Sequence, residues 1–237
     1  LLSDPVVAGL LELLSCEDKT AAEKISRYAA FVNKLFAFEV DLSSYLLKLV
    51  LEDENIYSVK WNSGATIDSI LDECVENELR IIQALSKVTA AEVQGLLEYK
   101  GFLPAWRNSD YDFLLAYRKR LKKSAYYGFG IFAKYKAFKL IDGTLYPILH
   151  PDPIRLSGLK GYEEQRSKVI NNTKYLLSGK PAANVLLYGD AGTGKSSTVK
   201  GIFNEFKNMG LRLVEVAKKD LVAIPQLLDS LYCQPLK

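Results

Sequence analysis

The sequence predicts an α/β chain: a mainly helical N-terminal domain over residues 1–148, then a domain over residues 149–237 that begins a parallel sheet and leaves it incomplete. Three observations carry this reading. Apolar residues recur at helical spacing through most of the first hundred positions, behind two capping boxes, Thr20 to Glu23 and Thr89 to Glu92. The pair Asp142-Gly143 stands between short apolar runs, a hairpin signal, and Pro147, Pro151 and Pro153 follow as an extended connector. The run Asn184-Val185-Leu186-Leu187-Tyr188 reads as a buried strand, and it leads into a glycine-rich octet and a helical pattern.

In chain order, residues 1–15 fit a helix with Val6, Val7, Leu10, Leu11 and Leu14 on its apolar face. Thr20 opens a longer helix with the stripe Ile25, Tyr28, Ala29, Val32, Leu35 and Phe36. Asp41 caps the next, with Tyr45, Leu46, Leu49 and Val50. Ile56–Trp61 alternates as a short strand would, and Thr66 starts a helix carrying Ile67, Ile70, Leu71, Cys74, Val75, Ile82 and Leu85. Thr89 opens a helix to about Gly101, and Ser109-Asp110 caps one to about Tyr127. Beyond the connector, a helix from Ser157 or Gly161 runs to about Leu177. Ser197–Met209 is helical, Leu211–Val216 a strand and Ile224–Tyr232 a helix.

The composition, 49% hydrophobic and 25% charged, is that of a soluble globular protein. The net charge is +3 but uneven. Residues 1–100 hold nine bases against 17 acids, residues 101–150 nine against three, and residues 151–237 thirteen against eight. A basic C-terminal half suits an anionic ligand. Three separated cysteines and the single His150 argue against a structural zinc site and a histidine-based triad, and they fit a reducing, cytoplasmic setting. No stretch approaches ~18 uninterrupted apolar residues, so no membrane span is expected. Leu1–Leu14 contains Asp4 and lacks a basic start, unlike a signal peptide.

The octet Gly189-Asp190-Ala191-Gly192-Thr193-Gly194-Lys195-Ser196 fits G-x-x-x-x-G-K-[ST], a phosphate-binding loop. Glycines let successive backbone N–H groups close around phosphate oxygens, and the following helix adds its positive end. Lys195, the candidate catalytic residue, would reach the β- and γ-phosphates of a bound nucleotide. Ser196 would hold Mg²⁺, with Ser197 beside it among the nucleotide-binding positions. The bland alternative is a chance glycine-rich turn, which the flanking strand and helix patterns disfavour.

The middle of the chain mixes bases with aromatics. Arg118-Lys119-Arg120, Lys122, Lys123, Lys134, Lys136 and Lys139 interleave with Tyr111, Phe113, Tyr117, Tyr126, Tyr127, Phe129, Phe132, Tyr135 and Phe138. A single-stranded nucleic-acid groove uses such a mixture. The plainer reading is preferred: rings packed inward and lysines solvated.

The segment Leu156-Ser157-Gly158-Leu159-Lys160-Gly161-Tyr162, ahead of the octet, resembles the AAA-type ATPases. That resemblance implies that Gly158, Gly161 and Tyr162 help wall the adenine pocket. A closer resemblance is carried by Gly161-Tyr162-Glu163, Asn171-Asn172-Thr173, Gly179 to Asp190, and Gly210 to Val216. Over about residues 125–237 these look like an uncharacterised family of bacterial AAA-like P-loop ATPases, labelled domain of unknown function 815. The resemblance implies ATP and Mg²⁺ as ligands, ATP hydrolysis by the full-length protein, an unknown protein client and an open question of ring-type homo-oligomers. The sequence departs from the AAA pattern in one respect. No apolar strand ending in paired acids (Walker B) follows the loop, and Asp220 and Asp229 lie in or near helical patterns. The chain is therefore expected to be the N-terminal portion of a longer ATPase, with that strand just beyond residue 237. A nucleotide-switched binding module or a nucleic-acid-interacting module, without turnover, is the alternative.

Overall fold

The computed structural model describes residues 1–16 and 18–237. It is a mixed α/β chain, mostly helical, with one three-stranded mixed sheet. The chain packs as two compact units. The first comprises residues 1–53 and 67–119, and the second residues 54–66 and 120–237. The proline connector lies inside the second unit.

In the first unit, α1 (Pro5–Leu14) starts at Asp4, whose carboxylate accepts from the N–H groups of Val6 and Val7. The Thr20–Glu23 box forms and opens α2 (Ala21–Phe36). There the Thr20 N–H and hydroxyl hold the Glu23 carboxyl below its ordinary value. The face that α2 buries is Tyr28, Phe31, Val32 and Leu35, so Phe31 joins the stripe read from sequence. Trp106 completes this core, with its ring edge-on to Phe31 at 5.0 Å between centroids. Burying a ring such as Phe31 contributes about 1.5–3 kcal/mol. The Trp106 indole N–H donates to the Val88 carbonyl, so no polar group of that ring is left over.

Asp41 caps α3 (Leu42–Glu52) as expected, accepting from Ser44 N–H at 2.8 Å. The Tyr45 hydroxyl donates to Asp4, and burial together with that carboxylate pushes it well above its ordinary range. α5 (Ser69–Ser86) is capped by Asp68 rather than Thr66, because Asp68 Oδ1 reaches the N–H of Ile70. The second box opens α6 (Ala90–Gly95), which stops well short of residue 101. α7 (Phe113–Lys122) begins later than Ser109-Asp110 predicts. The Ser109 hydroxyl is spent on Asp41, and Asp112 instead accepts from Leu115 N–H.

In the second unit, residues 56–61 are not a strand. They belong to α4 (Ile56–Ser63), because Asn55 and Ser58 form a reciprocal cap that the alternation of apolar residues concealed. α8 (Ser124–Tyr127) and α9 (Ile131–Lys134) precede the predicted hairpin, β1 (Ala137–Ile141) and β2 (Thr144–Pro147), which turns at Asp142-Gly143. β3 (Leu213–Val216) lies parallel to β1, pairing Phe138 with Val214 and Lys139 with Glu215, so the sheet order is β2-β1-β3. α10 (Glu163–Leu177), α11 (Lys195–Phe206) and α12 (Ile224–Ser230) complete the unit. Among the described residues, no helix is long and apolar enough to cross a membrane.

One expected element is missing from the sheet. Residues 184–188 are neither a strand nor buried: Leu186 is 83% and Tyr188 88% exposed. A strand needs a neighbour for its N–H and C=O groups. Here β1 has taken β3, and the segment is held instead by a side chain that imitates a strand edge. Asn172 of α10 donates to the Ala183 carbonyl at 2.7 Å and accepts from its N–H at 2.9 Å.

The mixed basic and aromatic stretch resolves largely as the plainer reading has it. Within their own units, Phe113, Tyr117, Phe129, Phe132 and Phe138 are buried, while Tyr126 stays exposed. Arg118 pairs with Asp72 and Glu76 of α5. Arg212 is similarly absorbed by structure. It donates to the carbonyls of Phe132, Tyr127, Lys207 and Leu211, and burial beside Arg120 lowers its guanidinium to about 10.

Candidate functional site

The octet forms a loop whose glycines are required by backbone conformation. Gly189, Gly192 and Gly194 take φ of 138°, 81° and 80°. A Cβ at Gly192 or Gly194 would meet nothing within 4 Å, so strain rather than crowding demands glycine there, and the space beside the backbone is open. Gly194 is the residue before α11, and the first N–H groups of that helix have no partner inside it. The loop therefore presents a helix N-terminus and a glycine cradle together, an arrangement suited to phosphate.

Lys195 is folded back over this loop. Its ammonium donates to the carbonyls of Gly189 at 2.9 Å and Asp190 at 2.6 Å, and to the Thr193 hydroxyl at 3.1 Å. The Thr193 hydroxyl in turn donates to the Asp190 carbonyl. Ser196 stands exposed on the first turn of α11, with Ser197 half-buried beside it, while Asp190 and Ala191 are exposed on the loop. Magnesium keeps several waters and takes few protein ligands besides phosphate oxygens, so a single exposed hydroxyl at Ser196 fits it.

A cavity of about 110 Å³ opens beside Thr193, Lys195 and Thr198. Its other walls are Tyr162, Gln165, Arg166 and Val169 from the start of α10, with Leu187 and Tyr188. Leu187 is the half-buried member of a segment whose neighbours point outward. The cavity is smaller than the ~300 Å³ at which small-molecule pockets begin. Two cationic residues, Lys195 and Arg166, line it and no carboxylate does, which favours an anionic ligand.

The upstream segment is brought to the loop by packing on α11. Leu156 lies against Gly201, where an added Cβ would fall 2.9 Å from its Cδ2. Of the three upstream residues singled out, Tyr162 lines the cavity. Gly161 contributes its carbonyl to Arg166, and Gly158 sits in the short 3-10 turn at residues 156–158. Arg166 also donates to the Leu159 carbonyl at 2.8 Å. Such charged bonds contribute about 1.5–3 kcal/mol each, offsetting its buried Nε–H, which has no partner among the described residues.

Gln165, Arg166, Val169, Leu187 and Thr198 were not foreseen as site residues. The signal for three of them was present: Tyr162, Gln165, Arg166 and Val169 follow at helical spacing on one face of α10. Asp220 and Asp229 stand away from the cavity. Asp220 is buried and accepts from the Asp142 N–H, and Asp229 is exposed on α12.

Residues 133–237 match the model of a family described only as a protein of unknown function, DUF815, which assigns this stretch to an uncharacterised domain family. No curated protein and no solved structure matches the chain.

Proposed function

We propose that the chain is an ATP-binding protein of the AAA-like P-loop type, holding the triphosphate in the loop Gly189–Ser196 and Mg²⁺ at Ser196. The observation that carries this reading is the position of Lys195. Its ammonium sits on the loop carbonyls, at the edge of a cavity that also contains Tyr162. A bound triphosphate replaces those carbonyls with stronger, charged acceptors. The N–H groups of the loop and of the first turn of α11 hold the phosphates. The wall of Tyr162, Val169 and Leu187 takes the base.

Calorimetric titration with Mg-ATP tests this directly. Wild-type protein is expected to bind, and Lys195→Ala to lose about tenfold or more in affinity without a change in melting temperature. Equal affinity in the two proteins sinks the proposal.

A second reading is favoured by one feature, the lack of any carboxylate among the cavity-lining residues. Hydrolysis needs a group that orients the attacking water. In this reading nucleotide is a ligand that switches a binding surface rather than a fuel. Mg-ATP binding without phosphate release supports the switch, and Lys195-dependent phosphate release supports the ATPase.

A further inference from the structure

Helix α10 begins in an unusual way. Tyr162, the residue before it, has a left-handed backbone with φ of 54°, and no side chain caps the helix. A tyrosine does not adopt that conformation unless its surroundings impose it. Arg166 lies one turn along. Its guanidinium donates to the carbonyls of Leu159 and Gly161, the latter belonging to the residue immediately before Tyr162. Its own backbone N–H closes the first turn onto the Tyr162 carbonyl at 3.0 Å. The planar fork thus ties the approach to the helix and the first turn into one piece.

Tyr162 is 61% exposed and yet lines the cavity opposite Thr193 and Lys195, so it is aimed by its backbone and not by packing. Resting on the nucleotide reading above, we infer that Arg166 is a positioning residue: by holding the Leu159 and Gly161 carbonyls it sets Tyr162 as the wall against which the planar base stacks. An arginine in such a cavity could instead bind phosphate directly. Here one N–H of each terminal nitrogen is committed to a carbonyl and Nε is buried, which holds the guanidinium against the approach to the helix; whether its remaining N–H groups also meet phosphate is what a ligand without a base tests.

The two roles separate by ligand. The full chain is titrated with Mg-ATP and with inorganic tripolyphosphate, which has the phosphates and no base. Arg166→Ala and Tyr162→Ala are each expected to weaken Mg-ATP about tenfold and to leave tripolyphosphate within about twofold. The double variant is expected to be no weaker than either single one, because both remove the same contact. Arg166→Lys is expected to behave as Arg166→Ala, since one ammonium cannot span both carbonyls. If Arg166→Ala does not fold, Arg166→Gln takes its place. An equal loss of tripolyphosphate, additive losses in the double variant, or unchanged Mg-ATP affinity in Arg166→Ala each overturns the positioning role alone. Wild-type protein that binds neither ligand overturns the nucleotide reading and this role with it.

Discussion

The ammonium of Lys195 donates to the backbone carbonyl of Asp190 at 2.6 Å, so the loop's own backbone holds the charge that a phosphate would take. On the proposed reading, a bound triphosphate takes the ammonium from that carbonyl. Gly194→Ala, which forces a side chain onto φ of 80°, is expected to cost about 1–2 kcal/mol in the loop. Mg-ATP affinity is expected to fall by about tenfold with little change in global unfolding. Titration calorimetry beside urea denaturation separates the two effects.

Gly210 makes the opposite case, in which crowding adds to strain. It takes φ of 96°, and an added Cβ would run into the carbonyl oxygen of Ala125. Gly210→Ala is expected to destabilise by about 3 kcal/mol or more, since backbone cannot step aside cheaply. Chemical denaturation would show it, and a loss below about 1 kcal/mol would contradict this packing.

Asp41 links stability to pH. Burial raises its carboxyl, but hydrogen bonds from the Ser109 hydroxyl and from the N–H groups of Ser44, Ser109 and Ser43 outweigh that and leave it below its ordinary value of 3.8. Its contribution is therefore complete above that ordinary value and is lost as pH falls through the lower, folded one. Asp41→Asn keeps an oxygen acceptor but does not titrate. Between pH 6 and pH 3 it is expected to lose less stability than wild type, by roughly 1 kcal/mol or less, in urea unfolding.

Tyr28 ties helix α2 to the segment after α6. Its hydroxyl donates to the Pro104 carbonyl at 2.7 Å and accepts from Gln94 at 2.7 Å. Tyr28→Phe keeps the ring in the core, strips the Pro104 carbonyl of this donor and leaves the Gln94 amide only its bond to the Leu103 carbonyl, at an expected cost of about 1–3 kcal/mol. A fall in the urea midpoint with an unchanged slope is the expected signature.

Leu186 and Tyr188 test the missing strand. Both are more than four-fifths exposed, so Leu186→Ser is expected to change stability by no more than about 0.5 kcal/mol. A loss of about 2 kcal/mol or more would place Leu186 in a buried strand instead.

Most of the signals legible in the sequence join residues within four positions of one another. The Thr20 and Thr89 boxes, the Asp41 cap, the Asp142-Gly143 turn and the Gly189–Ser196 loop were all read correctly as local structure. The strand read at residues 56–61 failed because its alternation is also compatible with one short helix, and the Asn55–Ser58 cap decides between them.

Within the candidate site, Tyr162 was named from the sequence and Arg166 was not. Arginine at that position looks like any solvated helix residue until the Leu159 and Gly161 carbonyls are seen beside it.

The sequence by itself determined most of the helices, the hairpin and the loop that brings Lys195 to a helix start, because many caps, turns and glycine conformations are settled by neighbouring residues. Only the tertiary structure decided that β1 pairs with β3, that residues 184–188 are held by Asn172 rather than by a strand, and that Arg166 and Tyr162 share a cavity with Lys195. Those pairings join residues from about ten to more than seventy positions apart. Any exposed N–H or C=O along the chain could have served in their place, and only packing selects which one does.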